Sequence, residues 1–357
     1  MILNKKSKTY IIAEAGVNHN GSFTLAKKLI EQANRCRVDA IKFQIFKAEN
    51  IALKNTKMAD YQIRNLKQNI SQYKMLNKLE LEPHHFLELK KVAKKNKIDF
   101  LVSVFDEKSL FFFEKKIKSK VIKIPSGEIT NYFLLKRLNL NKYKIILSTG
   151  MSNLKEIKDA INLIANHEVY KFKNGKIFIK DKKKFNFIKN KIFLLHCISD
   201  YPTEEKYLNL RCIQTLEKQF NLKIGFSDHT SGIDCSSISV ALGAQIIEKH
   251  FTLDNKMRGP DHSSSLSPKN LKKFVNRIRQ TEIVLGNHIK KAQKCEYANM
   301  RDIRKSITFK LDVKKNQIIK EDSLTAKRPG NGISPMMVKR YVNKKSKRSY
   351  KKDDLLK

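Results

Sequence analysis

Residues 225–229 read GFSDH and residues 246–250 read IIEKH, so two short apolar segments each end in a histidine. Eight apolar segments of this kind are found in the first 250 residues, and each ends in a polar, mostly charged or hydroxylated residue. Their length and their content of β-branched residues predict strands. The predicted strands span residues 9–14, 39–44, 98–104, 120–124, 144–149, 192–197, 222–227 and 245–250.

Amphipathic helix patterns separate these segments, with apolar residues recurring at three and four spacing. Buried strands that alternate with helices predict a parallel sheet covered on its outer face. Eight such units in about 250 residues match a closed (β/α)8 (TIM) barrel, an α/β fold whose functional groups lie at the C-terminal ends of the strands. We therefore expect the polar strand ends to meet at one mouth.

The predicted organisation has three parts. Residues 1–285 form the barrel, residues 286–300 a linker, and residues 301–357 a small β-rich module with short strands SITFKL and SLTAKR. Two segments fall outside the alternation. Residues 48–79 lie on the catalytic side, where long excursions usually cover a substrate. Residues 166–191 are expected at the opposite end as a solvated insertion with a hairpin turn at Asn174-Gly175.

Composition limits the function classes. The chain of 357 residues carries 74 Lys and Arg against 34 Asp and Glu, a net charge of +40. The lysines are dispersed and no nucleic-acid-reading motif accompanies them, so we expect no nucleic acid partner and a field that favours small anions. No apolar run is long enough to span a bilayer, and five scattered cysteines without CxxC spacing favour reduced thiols. We expect a cytoplasmic protein without membrane association.

The strand ends carry candidate catalytic groups. Glu14 ends the first strand, where a carboxylate can act as a base or bind a sugar hydroxyl, although it could also cap the next helix. Lys42 and Gln44 alternate at the end of the second strand, and Lys123 ends the fourth. Inward lysines are costly unless an anion compensates them. With hydroxyls at Ser103, Ser126, Ser148 and Ser227, they predict a phosphate and carboxylate site.

His229 and His250 are the strongest pair. A single strand histidine is more often a hydrogen-bonded core residue than a ligand. Two at the ends of adjacent barrel strands would converge, with Glu14 across the closing seam and Asp261 in the following loop. Two nitrogen donors with carboxylate or water suit a divalent ion such as Mn²⁺ better than Zn²⁺.

Nine motifs in order resemble the bacterial sialic acid synthase family over essentially the whole chain. They are IIAEAGVNHNG, AIKFQ, KIPSGEITN, IILSTGM, LLHC followed by Tyr201-Pro202, GFSDHT, IIEKHFTLD, GPDH and KRPGNGIS. The tail is similar to a type III antifreeze (SAF) domain of the β-clip type. Within the family, PSGEITN, EKHFTLD with GPDH, and KRPGNGIS are most similar to N,N'-diacetyllegionaminate synthases, with N-acetylneuraminate synthases next and pseudaminate synthases as a further alternative.

The resemblance implies a metal-dependent condensation of phosphoenolpyruvate with an N-acetylated mannose-type amino sugar, giving a nonulosonic acid and phosphate by C–O cleavage. It implies Mn²⁺, with Mg²⁺ or Co²⁺ as alternatives, on His229 and His250. The phosphoenolpyruvate site would comprise Lys42, Lys123, Ser126, Ser148, Ser199, Tyr201 and Ser227. The sugar and a water would be surrounded by Glu14, Gln44, Glu128 and Asp261.

The resemblance also implies a homodimer in which the SAF domain covers the partner's active site and Arg328 reaches the N-acyl group of the sugar. From sequence alone, Arg328 would be an ordinary surface residue. Two positions depart from the family pattern: Ser103-Val104 replaces Thr-Pro, and Ser199 replaces Asn or Thr. The sugar's C4 and C6 substituents stay open, and a non-catalytic carbohydrate or ice-surface binder is the competing class.

Overall fold

The computed structural model describes residues 8–357, which form two compact units, one ending at Gly286 and one comprising Asn287–Lys357. The barrel prediction is confirmed, because eight parallel strands close on themselves in the order β1-β10-β9-β8-β5-β4-β3-β2. The barrel strands are β1 (Tyr10–Gly16), β2 (Ala40–Ile45), β3 (Asp99–Val104), β4 (Val121–Ile124), β5 (Lys144–Ser148), β8 (Ile192–Cys197), β9 (Lys223–Asp228) and β10 (Ile246–His250).

Helices cover the outside of the barrel, and several have sequence-encoded starts. Ser22, Asp106 and Asn153 cap their helices by accepting hydrogen bonds from backbone N–H groups of the first turn, which satisfies donors that the helix leaves unpaired. The helices of this unit are α1 (Phe23–Arg35), α2 (Ala48–Ile51), α3 (Asp60–Leu66), α4 (Gln72–Asn77), α5 (Pro83–Lys95), α6 (Glu107–Phe112), α7 (Tyr132–Leu135), α8 (Leu154–Ile164), α9 (Lys182–Ile188), α10 (Cys212–Phe220), α11 (Asp234–Ala241) and α12 (Pro268–Leu285).

Inside the barrel, an apolar layer lies beneath a polar one. The apolar layer contains Ile12, Ala40, Leu101, Val121, Ile146, Phe193, Leu195 and Ile246. Side chains alternate between the two faces of a strand, so the residue two positions further along also points inward. Those residues include Glu14, Lys42, Ser103, Lys123, Ser148 and Glu248, all buried. The apolar layer thus forms a floor under a set of charged and hydroxylated side chains.

The lysine-rich insertion contains the predicted hairpin. Strands β6 (Tyr170–Lys173) and β7 (Lys176–Ile179) pair antiparallel and turn at Asn174-Gly175, both with positive φ. The insertion is less solvated than expected, because Tyr170 is fully buried and its hydroxyl donates to Phe220 O at 2.7 Å. The buried Tyr170 side chain therefore fixes this hairpin to α10, which the lysine-rich composition did not predict.

The second unit begins with a segment that is partly helical. Helix α13 (Tyr297–Ile303) starts within residues 286–300, which were predicted as a linker. The two predicted strands are present as β11 (Ser306–Phe309) and β12 (Leu324–Lys327), which pair antiparallel. A small core of Ile307, Phe309, Val313, Ile319, Tyr350 and Leu356 holds this unit together. None of the helices in residues 8–357 is long and apolar enough to cross a membrane.

Candidate active site

A cavity of about 460 Å³ opens at the C-terminal ends of the barrel strands. Strand register explains its composition, because Glu14 pairs with Lys42 on one side and with His250 on the other, and Gln44 pairs with Ser103. The cavity is lined by all fourteen site residues that were predicted in the barrel: Glu14, Lys42, Gln44, Ser103, Lys123, Ser126, Glu128, Ser148, Ser199, Tyr201, Ser227, His229, His250 and Asp261.

Four buried charged side chains lie at the base of the cavity, directly above the apolar layer. Lys42 Nζ lies 2.8 Å from Glu14 Oε2 and 3.4 Å from Glu248 Oε2, and Lys123 Nζ lies 2.8 Å from Glu248 Oε1. Lys42 also donates to Ser103 Oγ at 2.9 Å. We name Glu14, Lys42, Lys123 and Glu248 the inner cluster. Its two ammonium groups and two carboxylates compensate each other in a place where single charges would be very costly.

Burial and charge pull the pKa values of the inner cluster in different directions. Burial raises the pKa of Glu14, and the attraction of Lys42 offsets this only in part. Burial also disfavours ionised Glu248, but Lys123 and Lys42 outweigh it and hold its pKa far below the ordinary value. Burial lowers the pKa of Lys123 despite its bond to Glu248. Glu14 is thus the more basic of the two carboxylates.

Glu248 was missed as a site residue. It bridges both lysines and accepts a further hydrogen bond from Ser227 Oγ at 2.9 Å. The signal was present in the sequence, because Glu248 and His250 are two residues apart in one strand and so point to the same face.

The two histidine rings meet edge to face, with centroids 5.5 Å apart and an angle of 66° between their planes. Burial lowers the pKa of His229 to about 4 and also lowers that of His250, so both imidazoles are neutral. His229 Nδ1 lies 2.6 Å from Ile198 O, so Nδ1 carries the proton. Nε2, which lies 3.3 Å from Ser227 Oγ, keeps its lone pair as an acceptor. Tyr201 packs against both rings, with centroid distances of 4.1 and 5.4 Å.

A NeuB family profile matches residues 29–290. The chain belongs to the NeuB family. It is 47% identical over 350 residues to the N,N'-diacetyllegionaminic acid synthase of Campylobacter jejuni, covering 98% of this chain and 99% of that protein. It is 40% identical over 334 residues to the enzyme of the same name from Legionella pneumophila, covering 93% and 89%.

A solved structure agrees with this assignment. The N-acetylneuraminic acid (sialic acid) synthetase of Leptospira borgpetersenii serovar Hardjo-bovis, in complex with citrate, superposes with a TM-score of 0.67 at 32% identity. The match covers 82% of this chain and 90% of that one. The NeuB-family chain therefore shares both its barrel and its order of motifs with sialic-acid-type synthases.

The histidine pair and the groups beside it are a candidate place for a divalent ion. Among residues 8–357, no three His, Cys, Asp or Glu side chains lie close enough together to enclose an ion by themselves. Two features nevertheless fit one. His250 Nδ1 is buried without a hydrogen-bond partner in that part of the chain, and Asp261 Oδ2 lies 3.7 Å from it, too far for a hydrogen bond. Neutral imidazoles beside a carboxylate suit an octahedral ion that keeps several oxygen ligands from substrate or water.

A second part of the site consists of small polar groups around Gly150. Ser126 Oγ accepts a hydrogen bond from Gly150 N at 3.0 Å and lies 3.0 Å from Cys197 Sγ. A Cβ on Gly150 would lie 2.5 Å from Ser199 Oγ and 2.8 Å from Ser126 Oγ, so only glycine lets these groups converge. The buried hydroxyl of Ser148 has no hydrogen-bond partner in residues 8–357. It is available to a ligand oxygen.

Glu128 lies at the edge of the same cavity. Asn131 Nδ2 donates to its Oε2 at 2.6 Å, and burial raises its pKa. His196, at the end of β8, belongs to the packing instead: its Nε2 lies 2.7 Å from Leu208 O and its ring stacks on Phe226. Arg328 is part of the second unit, where its Nε donates to Ile303 O at 3.0 Å.

Residues 48–79 cover one side of the cavity, as expected for this insertion. Asn65 Nδ2 donates to Pro260 O at 2.7 Å, and Arg64 lies 3.3 Å from Asp200. The ring of Tyr61 packs on that of Tyr201, with centroids 4.7 Å apart. The insertion is therefore fixed to the loops after β8 and β10.

Proposed function

We propose that this NeuB-family enzyme condenses phosphoenolpyruvate with 2,4-diacetamido-2,4,6-trideoxymannose to give N,N'-diacetyllegionaminate and inorganic phosphate. The observation that carries the proposal is the joint placement of the inner cluster and two neutral histidines at one barrel mouth. The sugar follows from the 47% identity, over 98% of the chain, to a protein named N,N'-diacetyllegionaminic acid synthase. An N-acetylneuraminate synthase using N-acetylmannosamine is the alternative, supported by the 32% identity to the Leptospira structure.

Phosphoenolpyruvate would lie over Lys42 and Lys123. Both ammonium groups are almost completely buried and paired with carboxylates. Because they border the cavity, each can exchange its carboxylate partner for a phosphate or carboxylate oxygen of the ligand. The unpartnered Ser148 hydroxyl and the hydroxyls around Gly150 can donate hydrogen bonds to its phosphate oxygens. Ser227 in β9, whose hydroxyl donates to Glu248, would line the remaining side of the phosphoenolpyruvate site.

His229 and His250 would hold the divalent ion, Mn²⁺ in the first instance, with Asp261 and Glu14 facing it. When bound, the ion supplies Lewis acidity that polarises the sugar aldehyde and stabilises the charge formed there. The protein positions the ligands for this purpose. Ile198 O fixes the tautomer of His229, and Tyr201 restrains both rings.

The reaction forms a carbon–carbon bond and a carbon–oxygen bond to water, and it breaks the carbon–oxygen bond to phosphate. C3 of the enol attacks the aldehyde carbon, which leaves positive charge at C2 of the former phosphoenolpyruvate. Water adds there and loses one proton, and the adduct collapses to the 2-keto group as its hydroxyl proton leaves with the phosphate. Burial raises the pKa of Asp261 to about 7, which lets its carboxyl donate a proton to the aldehyde oxygen as that oxygen becomes the new hydroxyl. Glu14, whose pKa burial also raises, can take the proton from the attacking water. Lys42 and Lys123 stabilise the phosphate as it leaves.

We further propose a homodimer in which the C-terminal unit of one subunit covers the barrel mouth of the other, bringing its Arg328 to the N-acyl group of the sugar. Exposed apolar side chains in segments that follow strand ends support this: Met151, which lines the cavity, is 72% exposed, Leu53 after β2 is 82% exposed and Phe133 after β4 is 70% exposed. Exposed apolar groups of this size favour a protein partner. The free cysteines support a reducing, cytoplasmic setting.

Phosphate release tests the proposal. Purified protein with Mn²⁺ and phosphoenolpyruvate should release phosphate only when an amino sugar is added, and faster with 2,4-diacetamido-2,4,6-trideoxymannose than with N-acetylmannosamine. The control is phosphoenolpyruvate without sugar, which excludes simple hydrolysis. Absence of release with both sugars, with metal supplied, would contradict the proposal.

A further inference from the structure

One side of the cavity is apolar. Four of its side chains, Ile51, Met75, Leu76 and Leu79, belong to the insertion of residues 48–79, and the other two follow strands β1 and β3. We name as the apolar wall the cavity-lining residues Val17, Ile51, Met75, Leu76, Leu79 and Phe105. Leu76 and Phe105 are only partly buried, so they have surface to offer a ligand.

Packing behind the apolar wall makes it a fixed surface. Val17, Met75 and Leu79 are buried in one cluster with Phe46 and Met58. Glu80 accepts a hydrogen bond from Ala48 N at 2.7 Å, which ties the two ends of the insertion together. A preformed apolar surface binds an apolar group without paying for its own ordering.

The polar part of the cavity lies elsewhere, at the strand ends. The inner cluster and the two histidines are there, so the reacting aldehyde and phosphoenolpyruvate must meet there. The apolar wall is then left for the end of the sugar that takes no part in bond formation. The two candidate sugars differ at that end, since C6 is a methyl group in the trideoxy sugar and carries a hydroxyl in N-acetylmannosamine.

The buried amide of Gln62, which also lines the cavity, is already committed. Gln62 Oε1 accepts a hydrogen bond from Ala59 N at 3.0 Å, and its Nε2 donates to the Tyr61 hydroxyl at 3.2 Å. A hydroxyl pressed against the apolar wall would lose its water partners without equivalent replacements, which is unfavourable. A methyl group at the same place gains by burial.

We propose that the apolar wall receives the C6 methyl group of the amino sugar and that Leu76 sets a preference for 6-deoxy over 6-hydroxy substrates. This inference rests on the proposed function and adds the structural origin of its sugar preference. An apolar pocket rejects an analogue with one added hydroxyl by about 10²-fold at most. The preference should therefore be of that order in kcat/KM.

The test compares 2-acetamido-2,6-dideoxymannose with N-acetylmannosamine, which differ only in the hydroxyl at C6, by phosphate release in the full-length enzyme. Wild type should prefer the 6-deoxy sugar by about 10- to 100-fold in kcat/KM. Leu76→Gln should reduce that ratio to within about threefold of unity, because the amide can bond the hydroxyl. Phe105→Tyr keeps the ring and should also lower the ratio. It replaces Leu76→Gln as the test if that variant does not fold.

Leu66→Gln is the matched control. Leu66 packs against the same cluster but does not line the cavity, so this variant should keep the wild-type ratio. Equal use of the two sugars by wild type, or an unchanged ratio in both folded wall variants, would overturn the proposal. If 2,4-diacetamido-2,4,6-trideoxymannose still supports phosphate release in that case, the proposed function stands. Release with none of the three sugars would overturn both.

Discussion

Glu248 and Lys249 are neighbours in β10, yet they belong to two different groups of buried charge. Glu248 points into the barrel and joins the inner cluster. Lys249 points outward, where its Nζ lies 3.0 Å from Asp228 Oδ1 and donates to Thr230 O at 2.5 Å. Asp228 also accepts hydrogen bonds from Thr230 and from Ser236 Oγ. We name Asp228 and Lys249 the outer pair.

The two groups differ in what surrounds them. The outer pair is completely buried, and backbone and hydroxyl groups satisfy its ions. The inner cluster borders a cavity of about 460 Å³ that can admit water or a substrate. A buried pair without solvent contributes mainly to structural order, whereas charges beside a cavity can exchange partners with a ligand. The comparison predicts that changes in the inner cluster affect catalysis and changes in the outer pair affect stability.

The largest effect should follow from His250→Ala, beside the inner cluster. Loss of one of two proposed metal ligands should remove Mn²⁺ binding and reduce turnover by about 10⁴-fold or more. Isothermal titration with Mn²⁺ and the phosphate-release assay measure both quantities. A thermal unfolding midpoint near that of wild type is the control for folding. Wild-type turnover in this variant would remove the histidine pair from the reaction.

Lys123→Gln tests the inner cluster directly. Losing one ammonium group from the phosphoenolpyruvate site should reduce kcat/KM by about 10³-fold, because a buried charge that stabilises the leaving phosphate is gone. The free energy of unfolding should fall less than it does for a change in the outer pair. The reason is that water in the cavity can hydrate Glu248 once Lys123 is lost. Steady-state kinetics and urea unfolding of the same preparation separate the two effects. A variant with near-normal kinetics and severe loss of stability would reverse the comparison.

Lys249→Met tests the outer pair. It leaves Asp228 charged and buried without its cation, which should lower the free energy of unfolding by about 3–5 kcal/mol. The double variant Asp228→Asn with Lys249→Met removes both charges and should recover most of that loss. Urea unfolding measures both. If the single variant were as stable as wild type, the outer pair would have no structural role.

The smallest effect concerns the pH dependence of stability. It involves His262, which belongs neither to the inner cluster nor to the outer pair. Burial lowers the pKa of His262 to about 4, and its Nδ1 lies 2.6 Å from Thr252 Oγ1. An unfolded histidine has a pKa of about 6.5. The contribution of the neutral ring to stability is therefore complete above pH 6.5 and is lost as the pH falls towards 4. The loss should be on the order of 2 kcal/mol, and His262→Gln should flatten this part of the urea-unfolding pH profile.

The barrel and most of its mouth were predictable because they depend on local periodicity. Alternation along β2 places Lys42 and Gln44 on one face, and the same rule applied to β10 would have found Glu248. The attachment of the insertion was not predictable. Asn65 bonds Pro260 across 195 positions of sequence, and no local pattern encodes such a contact. The helix that starts in the predicted linker was missed because its seven residues cover only about two turns, too few for a clear helical period.

The sequence by itself determined the eight strands, their inward faces and the residue types at their ends, because side-chain direction in a strand follows a period of two. Only the tertiary structure decided which of those groups share partners. Closure of the barrel places β1 beside β10 and so brings Glu14 next to His250. It also lets Glu248 bridge two lysines from different strands, and it aims Ile198 O at His229. These contacts depend on strand register and loop packing over long sequence separations.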